Sequence, residues 1–329
     1  MTSYILLEKV SVEDANCIAG FTYGFPAITG FLGFTHAISR KFNAEFGIEI
    51  LGCAIFSHDF TLHTNEQYDV RFIQSKRPPV TLQGQKYRAE ANKTPPIIEE
   101  GKMDLTISLL LQCKQVLSGV DEQKKLYQKS LKKWVYQARL VGGSITNIKN
   151  ISFWTEESDL NKLKRKLLPS FVLLDATSTL EKHVEQSKID DPNSDLFDLW
   201  TDFFAYKAES KIDEDQSTVQ WVRKDKPNPR GWFVPLMIGF KGISPLYEGQ
   251  EVEHHRDPRY PFRFVESVHS IGEWRSTHRI QNLSDLIWRY HIEDEWYLCQ
   301  QKQNFQANIE PIEQPQPALD DGSFNFDFN

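Results

Sequence analysis

The chain has 329 residues, enough for one large domain or two ordinary ones with an ample apolar core. Hydrophobic residues make up 40% and charged residues 25%, which excludes a disordered or fibrous protein. The four cysteines form no C-x-x-C pair, which excludes a disulfide framework or thiolate zinc site and favours a reducing cytoplasm. The first fifteen residues lack the features of a secretory signal, and the uncharged but polar stretch 16–39 predicts a buried loop and helix rather than a membrane span.

The net charge of −7 is unevenly distributed along the chain. Residues 303–329 contribute −5 and residues 155–215 contribute −7, which leaves +5 for 1–154 and 216–302 together. This asymmetry predicts a basic body that could face a polyanion, although a single charge run is more often a solvated face. The composition of 303–329, rich in Gln, Asn, Pro and acid, predicts an acidic disordered tail.

The N-terminal half alternates between strand and helix patterns. The predicted elements are a strand at 4–12, a helix from Pro26 to Gly47, a strand at 48–63 bulged at Gly52, a strand at 103–113 and a helix at 121–138. The last helix turns an apolar face inward that consists of Leu126, Leu131, Trp134, Val135 and Ala138. A further strand at 167–174 completes a split βαβ, ferredoxin-like pattern.

The remaining segments predict additions to this unit. Residues 176–217 predict a helical insert, followed by strands at 218–224, 231–238 and 262–274 and a short helix at 283–291. The predicted organisation is a domain at 1–175 that includes a basic arm at 64–102, the insert at 176–217, a C-terminal part at 218–302 and the tail at 303–329.

The long connection before residue 103 is basic. About forty residues between two strands are too many for a hairpin loop, and such connections are usually functional or disordered. Residues 71–93 carry six bases and one acid, with Phe72 and Tyr87 among them. Bases interleaved with aromatic side chains suit the phosphates and bases of RNA.

Two further segments suit nucleic acid. Residues 124–149 carry seven bases and no acid, and include the turn Val141-Gly142-Gly143-Ser144, whose backbone N–H groups could meet phosphates. A tight turn after a solvated helix explains that pattern equally well. Residues 223–232 form a basic, proline-containing loop that ends at Trp232, and charges that protect a hairpin from aggregation are the alternative explanation.

The sequence contains no established catalytic template. It lacks a G-x-S-x-G elbow, an H-E-x-x-H helix, a Walker loop and a Rossmann fingerprint. His58 and His63 are five residues apart on a strand and therefore face opposite ways, which weakens a metal-ligand pair. We therefore expect no metal and no cofactor.

Several long phrases carry a family resemblance. They are TYGFPAITGFLGFTHAISRK, EEGKMDLTISLLL, RLVGGSI, RKLLPSFVLL and KPNPRGWFVPLMIGFKGISPLY with PFRFVESVHSIGEWRSTHRIQNLSDLIWRYH. Together they resemble the family of the second Csy subunit, the Cas-five-type RAMP protein of type I-F CRISPR surveillance complexes. The resemblance spans roughly residues 4 to 298.

The resemblance implies an α+β fold, a ferredoxin-like, RRM-related RAMP sheet with a long β-hairpin arm and a helical insert. It also implies a non-catalytic cytoplasmic subunit that binds the 5′ handle of the crRNA, pairs with the large Csy subunit and caps the filament of backbone Csy subunits. The assembled complex would capture target double-stranded DNA by guide pairing. The predicted RNA-binding residues are Arg71, Lys76, Arg77, Lys86, Arg88, Arg139, Gly142, Gly143, Ser144, Arg223, Arg230, Trp232, Trp274, Arg275 and His278.

Two other functions fit the same patterns. The first is a RAMP endoribonuclease that processes repeat RNA, with His58 or His278 as general base and with Ser276 and Tyr290 near His278. The second is a single-strand RNA-binding protein outside any complex.

Overall fold

The computed structural model describes residues 2–65, 71–76, 80–84, 96–156, 158–212, 219–228 and 230–301. The strands are β1 (Ser3–Asn16), β2 (Ile18–Ala19), β3 (Thr22–Tyr23), β4 (Ile50–His63), β5 (Ile73–Lys76), β6 (Thr81–Leu82), β7 (Ile97–Glu100), β8 (Lys102–Cys113), β9 (Arg139–Leu140), β10 (Gly143–Thr155), β11 (Phe171–Asp175), β12 (Ala208–Ile212), β13 (Val219–Arg223), β14 (Phe233–Gly242), β15 (Val252–Glu253), β16 (Val265–Ser276), β17 (Trp288–Glu293) and β18 (Trp296–Gln301). The α-helices are α1 (Ile28–Phe46), α2 (Asp121–Gln137), α3 (Leu160–Leu167), α4 (Thr177–Asp190) and α5 (Leu196–Thr201). Short 3-10 turns lie at Gly249–Glu251, Thr277–Arg279 and Ser284–Leu286.

The N-terminal part is a four-stranded antiparallel sheet with two helices on one face. Its strands lie in the order β4-β8-β1-β10, and the chain passes through them as β1-α1-β4-β8-α2-β10. Helix α1 packs on β4, and α2 packs on β10 and against α1. The core between helices and sheet contains Phe31 and Phe42 of α1, Leu131 of α2 and Leu109 of β8, all fully buried. Alternating apolar residues in the strands and an apolar helix stripe explain this layer.

The opposite face of the sheet is covered by α3, by β11 and by the segments around Ile280 and Leu286. Leu163 and Leu167 of α3 pack with Tyr4, Phe56 and Leu110 of the sheet. Strand β4 pairs with β17 at Cys53 and with β11 at Phe56 and Ser57. Strands β4, β17, β18, β14, β16 and β11 therefore form a closed ring, and β4 belongs to both the ring and the sheet.

At the other edge of the sheet, the outer side of β10 pairs with another strand, β9, only at its first two residues. Side chains of α2 reach its remaining backbone groups. Gln128 Nε2 donates to the carbonyl oxygen of Ile151 at 2.7 Å, and the Ile148 N–H donates to Tyr136 Oη at 3.2 Å. The outer edge of the sheet is thus partly covered by its own neighbouring helix.

Most predicted elements of the first half are confirmed. The predicted strands at 4–12, 48–63 and 103–113 and the helix that ends at Gly47 are all present, and Gly47 adopts the left-handed conformation with φ 68°. The pairing of β4 with β8 shifts register between Ile50 and Gly52, as the predicted bulge requires. One inward-facing residue of the 121–138 helix was wrong, because Leu126 is exposed and Tyr127 is buried instead.

Three predicted elements are corrected. The strand that completes the β-α-β-β-α-β order is β10 and not 167–174, because Leu167 ends α3 and β11 joins the ring instead. The predicted helix at 283–291 is a 3-10 turn followed by β17. The insert holds α4 and α5 as expected, but it ends in the strand β12, which pairs with β13.

The described part of the arm is a β-hairpin extension. After β4 and before β8, strands β5 and β7 pair with each other, and β6 pairs with β15. The intervening residues 66–70, 77–79 and 85–95 lie outside the described part of the chain. Among the helices that the structure describes, none is long and apolar enough to cross a bilayer.

Candidate nucleic-acid interface

The glycine turn, residues 141–144, and the C-terminal end of the arm at Gly101 lie at the same end of the sheet. The Asn16 N–H donates to the Val141 carbonyl at 2.9 Å, and the Cys17 N–H donates to the Gly101 carbonyl at 3.1 Å. Asn16 and Cys17 therefore hold the turn before β10 and the last residue before β8 side by side. The segment 18–23 continues from them and ends at Tyr23, which lines a cleft next to the ring.

The two glycines of the turn have different physical roles. Gly142 has φ 85°, a left-handed conformation that favours glycine, and it is exposed. A Cβ on Gly143 would lie 2.6 Å from the Glu13 carbonyl oxygen, so this glycine permits close packing on β1. Arg139 Nη1 donates to the Gly142 carbonyl at 3.2 Å, and Ser144 is exposed. The surface of the turn thus offers Arg139, Gly142 and Ser144, while Gly143 is buried beneath it.

An aromatic cleft with a volume of about 430 Å³ opens between the start of α1, the end of β4 and the strands β11, β14 and β16. Its aromatic lining consists of Tyr23, Phe25, Phe60, Phe171, Trp232 and Trp274. The Trp232 ring lies edge-on to Phe171 with centroids 5.2 Å apart, and Trp274 lies edge-on to Phe25 at 4.9 Å. The Trp274 N–H donates to the Trp232 carbonyl at 2.9 Å, which fixes the two tryptophans relative to each other. Half-exposed rings in a cleft provide faces on which nucleobases can stack.

The base of the arm contacts the rim of this cleft. Phe72 lies edge-on to Tyr23 with ring centroids 5.1 Å apart. Arg71 pairs with Asn65 through two backbone hydrogen bonds, and Lys76 is exposed at the end of β5. Tyr23 thus contributes both to the cleft and to the arm contact. The predicted arm residues Arg77, Lys86 and Arg88 lie outside the described part of the chain.

The segment from Trp274 to His278 is divided between two surfaces. Successive residues of a strand point to opposite faces, and Arg275 accordingly lines a second cavity of about 450 Å³ together with Arg279 and Asp285. Arg275 donates two hydrogen bonds to Glu273, at 3.2 and 2.5 Å. His278 Nδ1 lies 2.7 Å from Ser276 Oγ. The structure therefore unites Trp274 with Trp232 but not with Arg275 or His278.

The predicted basic loop at 223–232 is also divided. Arg230 lies two residues before Trp232 at the cleft, and its N–H donates to Asn228 Oδ1 at 3.3 Å. Arg223 ends β13, where its guanidinium lies 5.4 Å from the centroid of the Tyr206 ring. Arg230 is thus the base of this loop nearest in sequence to the cleft.

His58 lines the cleft but both of its ring nitrogens are occupied. Nδ1 lies 2.8 Å from the Pro169 carbonyl, which can only accept, so Nδ1 donates. Nε2 lies 2.7 Å from Ser108 Oγ, which also accepts from the Lys9 N–H. Burial lowers the pKa of His58 below its ordinary value. These contacts hold the imidazole as a neutral bridge between β4, β8 and the segment before β11.

The Ser276, His278 and Tyr290 group expected near one another is not assembled as a unit. Tyr290 Oη lies 3.2 Å from His36 Nδ1, and the Tyr290 ring stacks on Tyr297 with centroids 5.6 Å apart. His278 has Ser276 as its neighbour, and its carbonyl accepts from Lys164 Nζ at 3.2 Å. Tyr290 therefore contacts partners other than His278.

One cluster in the described part of the chain has side chains that could ligate a cation. Asp14, His63 and Asp104 come from the ends of β1, β4 and β8, and their ligand atoms lie within 4.8 Å of one another. His63 Nε2 is 3.1 Å from Asp104 Oδ2, and His63 Nδ1 is 3.6 Å from Asp14 Oδ1. The contacts among these three side chains account for the cluster without an ion. Sequence inspection missed this group because the bulge that brings Asp14 to it lies in the register shift of β1 before Ala15.

Sequence inspection also missed most of the cleft. Tyr23, Phe25, Phe60 and Phe171 were not selected, although they line it together with the two predicted tryptophans. Phe25 directly precedes Pro26, where the sequence predicts only the start of a helix. The six aromatic residues come from five separate segments of the chain, which only the tertiary fold brings together.

Two comparisons with known proteins agree. Residues 5–299 match the family model described as CRISPR-associated protein (Cas_Csy2). The chain is also 31% identical over 312 residues to CRISPR-associated protein Csy2 of Pseudomonas aeruginosa (strain UCBPP-PA14), covering 88% of this chain and 91% of that protein. The family resemblance inferred from the quoted phrases is thereby confirmed for the second Csy subunit. The chain belongs to the Csy2 family of CRISPR-associated proteins, which are subunits of type I-F Csy complexes.

Proposed function

We propose that this subunit holds the 5′ handle of the crRNA without cleaving it, pairs with the large Csy subunit and caps the filament of backbone Csy subunits. In this role it contributes to the guide-directed capture of target double-stranded DNA by the complex. The observation that carries the proposal is the aromatic cleft, whose rim contacts the base of the arm and continues toward the glycine turn.

We also propose that the N-terminal unit is a ferredoxin-like RAMP domain. The order β4-β8-β1-β10 with antiparallel neighbours, traversed as β-α-β-β-α-β with both helices on one face, supports this assignment. RRM-related sheets bind single-stranded RNA by stacking bases on aromatic side chains. Here the aromatic surface lies beside the C-terminal half of β4, the strand that the sheet and the ring share.

We assign base stacking to the cleft and phosphate binding to the basic residues around it. Trp232 and Trp274 offer stacking faces. Arg71 precedes Phe72, which contacts Tyr23 of the cleft, Lys76 is exposed at the end of β5, and Arg230 lies two residues before Trp232, so we assign the positive charge of the site to these three residues. Arg139 and the exposed backbone of Gly142 extend the charged surface at the sheet end. The other predicted RNA contacts, including Arg77, Lys86, Arg88, Gly143, Ser144, Arg223, Arg275 and His278, stay predictions.

The endoribonuclease alternative has weaker support. A general base needs a ring nitrogen within reach of a 2′-hydroxyl, and both nitrogens of His58 already have partners. His278 has a serine neighbour, but Tyr290 contacts His36 and Tyr297. We expect purified protein to leave repeat RNA intact; cleavage that His58→Ala or His278→Ala abolishes would instead establish the nuclease.

The handle-binding proposal is tested with Trp232→Ala and Trp274→Ala in the co-expressed complex. Base stacking on an aromatic side chain contributes about 1–3 kcal/mol, so each variant should bind handle RNA roughly 5- to 150-fold more weakly. Tyr260→Ala is the matched control, because Tyr260 is an exposed aromatic residue that is not part of the cleft lining. Unchanged RNA affinity in both cleft variants would remove the cleft from the site. Co-purification with the other Csy subunits separates this function from that of a solitary RNA-binding protein.

A further inference from the structure

Strands β12 and β13 form a two-stranded hairpin at the end of the insert. All five residues of β13 are exposed, and the two strands pair with no other strand in the described ranges. An isolated two-stranded hairpin is only marginally stable in water. Here its root is held by Asp202, which is buried and lies 2.8 Å from Lys207 Nζ and 3.4 Å from Lys224 Nζ. The hairpin is therefore positioned by its root while both of its faces stay open.

One face of this hairpin has the composition of a protein interface. Val219, Trp221 and Arg223 alternate along β13, so their side chains share a face. The Arg223 guanidinium lies over the Tyr206 ring, which adds Tyr206 to the same face. Tyr206 is 75% exposed, Trp221 73% and Val219 59%. Exposed apolar side chains that share one face are typical of interaction sites, whereas singly scattered ones are ordinary, and Trp, Tyr and Arg dominate binding energy at protein interfaces.

The net negative charge around the hairpin disfavours nucleic acid as its binding partner. Residues 176–224 carry eleven acidic and six basic side chains. A net negative element repels a phosphate backbone, whereas it attracts a protein surface with basic side chains at its rim. The exposed hydrophobic residues Leu196 and Phe197 on α5 and the lack of buried residues in α4 extend the open surface of the insert.

We propose that the face formed by Tyr206, Val219, Trp221 and Arg223 is the docking surface for another protein subunit of the Csy complex, which offers an apolar groove with a basic rim. The proposal rests on the pairing of Csy subunits proposed above and names the surface through which it occurs. Trp221 and Tyr206 fill the groove, and the acidic insert steers the approach of the partner. Association accordingly slows as ionic strength rises.

The test co-expresses the full chain with each of the other Csy subunits and measures affinity for the one that co-purifies. The double variant Tyr206→Ser with Trp221→Ser should bind that subunit at least about 30-fold more weakly, since central aromatic residues of an interface carry much of its energy. The matched control is Tyr260→Ser with Ile292→Ser, two exposed side chains outside the insert, which should bind as the unchanged protein does. An unchanged melting temperature shows that the double variant is folded.

The outcomes separate this inference from the proposed function. If the unchanged chain assembles and the double variant assembles equally well, the docking surface is refuted while the handle-binding proposal stands. If the double variant loses RNA affinity in the isolated chain but not subunit affinity, RNA is the occupant and the inference fails. Loss of self-association instead would assign the face to a second copy of this chain, which also overturns it. Failure of the unchanged chain to bind any Csy subunit refutes the pairing itself.

Discussion

The Asp202 carboxylate is the anchor of the insert, and Asp202→Asn tests that role. Its oxygens lie 2.8 Å from Lys207 Nζ and 3.1 Å from His183 Nε2, with Lys224 Nζ at 3.4 Å. Burial by itself raises the pKa of Asp202, but the hydrogen bonds from Lys207 and His183 and the lysine charges outweigh it and lower the pKa below its ordinary value. The carboxylate therefore stabilises the folded protein in its charged form.

The cost of the substitution follows from these contacts. A hydrogen bond to a charged group contributes about 1.5–3 kcal/mol. The amide keeps one oxygen acceptor, and the partly exposed lysines recover hydration, so the loss falls below the 3–5 kcal/mol or so typical of a broken, fully buried pair. We expect about 2 kcal/mol, or a fall in melting temperature of about 3 °C for a chain of this length. Hydrogen exchange should accelerate first in β12 and β13, because Lys207 and Lys224 tie their ends to Asp202.

The difference in unfolding free energy between the wild type and Asp202→Asn should disappear at low pH. A carboxyl whose folded pKa is lowered stabilises the protein above its unfolded pKa of about 3.9, and this stabilisation is lost as the pH falls through the folded value. The unfolding free energies of the wild type and Asp202→Asn should therefore converge below about pH 4. Asp198→Asn is the control, since its carboxylate is exposed and 3.8 Å from Lys207 Nζ, and it should have no measurable effect. Equal losses for both variants, or a difference that persists unchanged at about pH 3, would refute this reasoning.

Two further predictions concern buried titratable groups. Since burial lowers the pKa of His58, its contribution to stability is complete above the unfolded value of about 6.5 and is lost as the pH falls below it. His58→Gln should flatten that part of the decline in urea unfolding free energy between about pH 7.5 and 5.5, and an identical slope in both proteins would contradict it. Burial also raises the pKa of the thiols of Cys53, Cys113 and Cys299 to about 12. A thiol reagent at about pH 8 should leave these cysteines unmodified in the native protein and label them all in denaturant; rapid native labelling would disprove their burial.

A helix or strand is predicted well from the sequence when its apolar residues follow a single regular spacing and only one of its faces is buried in the core. In β8 the alternation from Met103 to Ile107 marks a strand with one face in the core. In α1 the spacing of Phe31, Ile38 and Phe42 marks the helix, and Gly47 marks its end. These local patterns determine the elements that make up most of the first sheet.

The missed elements lack such a period. In β10 the buried residues Ile145, Ile148 and Ile151 recur every third position, and the register against β1 shifts between Ser11 and Val12, opposite the first of these intervals. Trp288 resembles part of a short helix pattern, but it is fully buried in β17, where its Nε1 donates to the Leu173 carbonyl across the ring. The aromatic cleft depends on that ring, so its lining could not be derived from local sequence.

The arrangement of sheet edges has a consequence for assembly. On one side the strands close on themselves, and on the other Gln128 and Tyr136 occupy backbone groups of Ile151 and Ile148 that a newcomer strand would need. Unprotected edges invite lateral growth into aggregates. The edges of the ten-stranded sheet are thereby protected from non-specific strand pairing before the subunit is assembled. Recognition of partner subunits then depends on side chains, which are more specific than backbone groups.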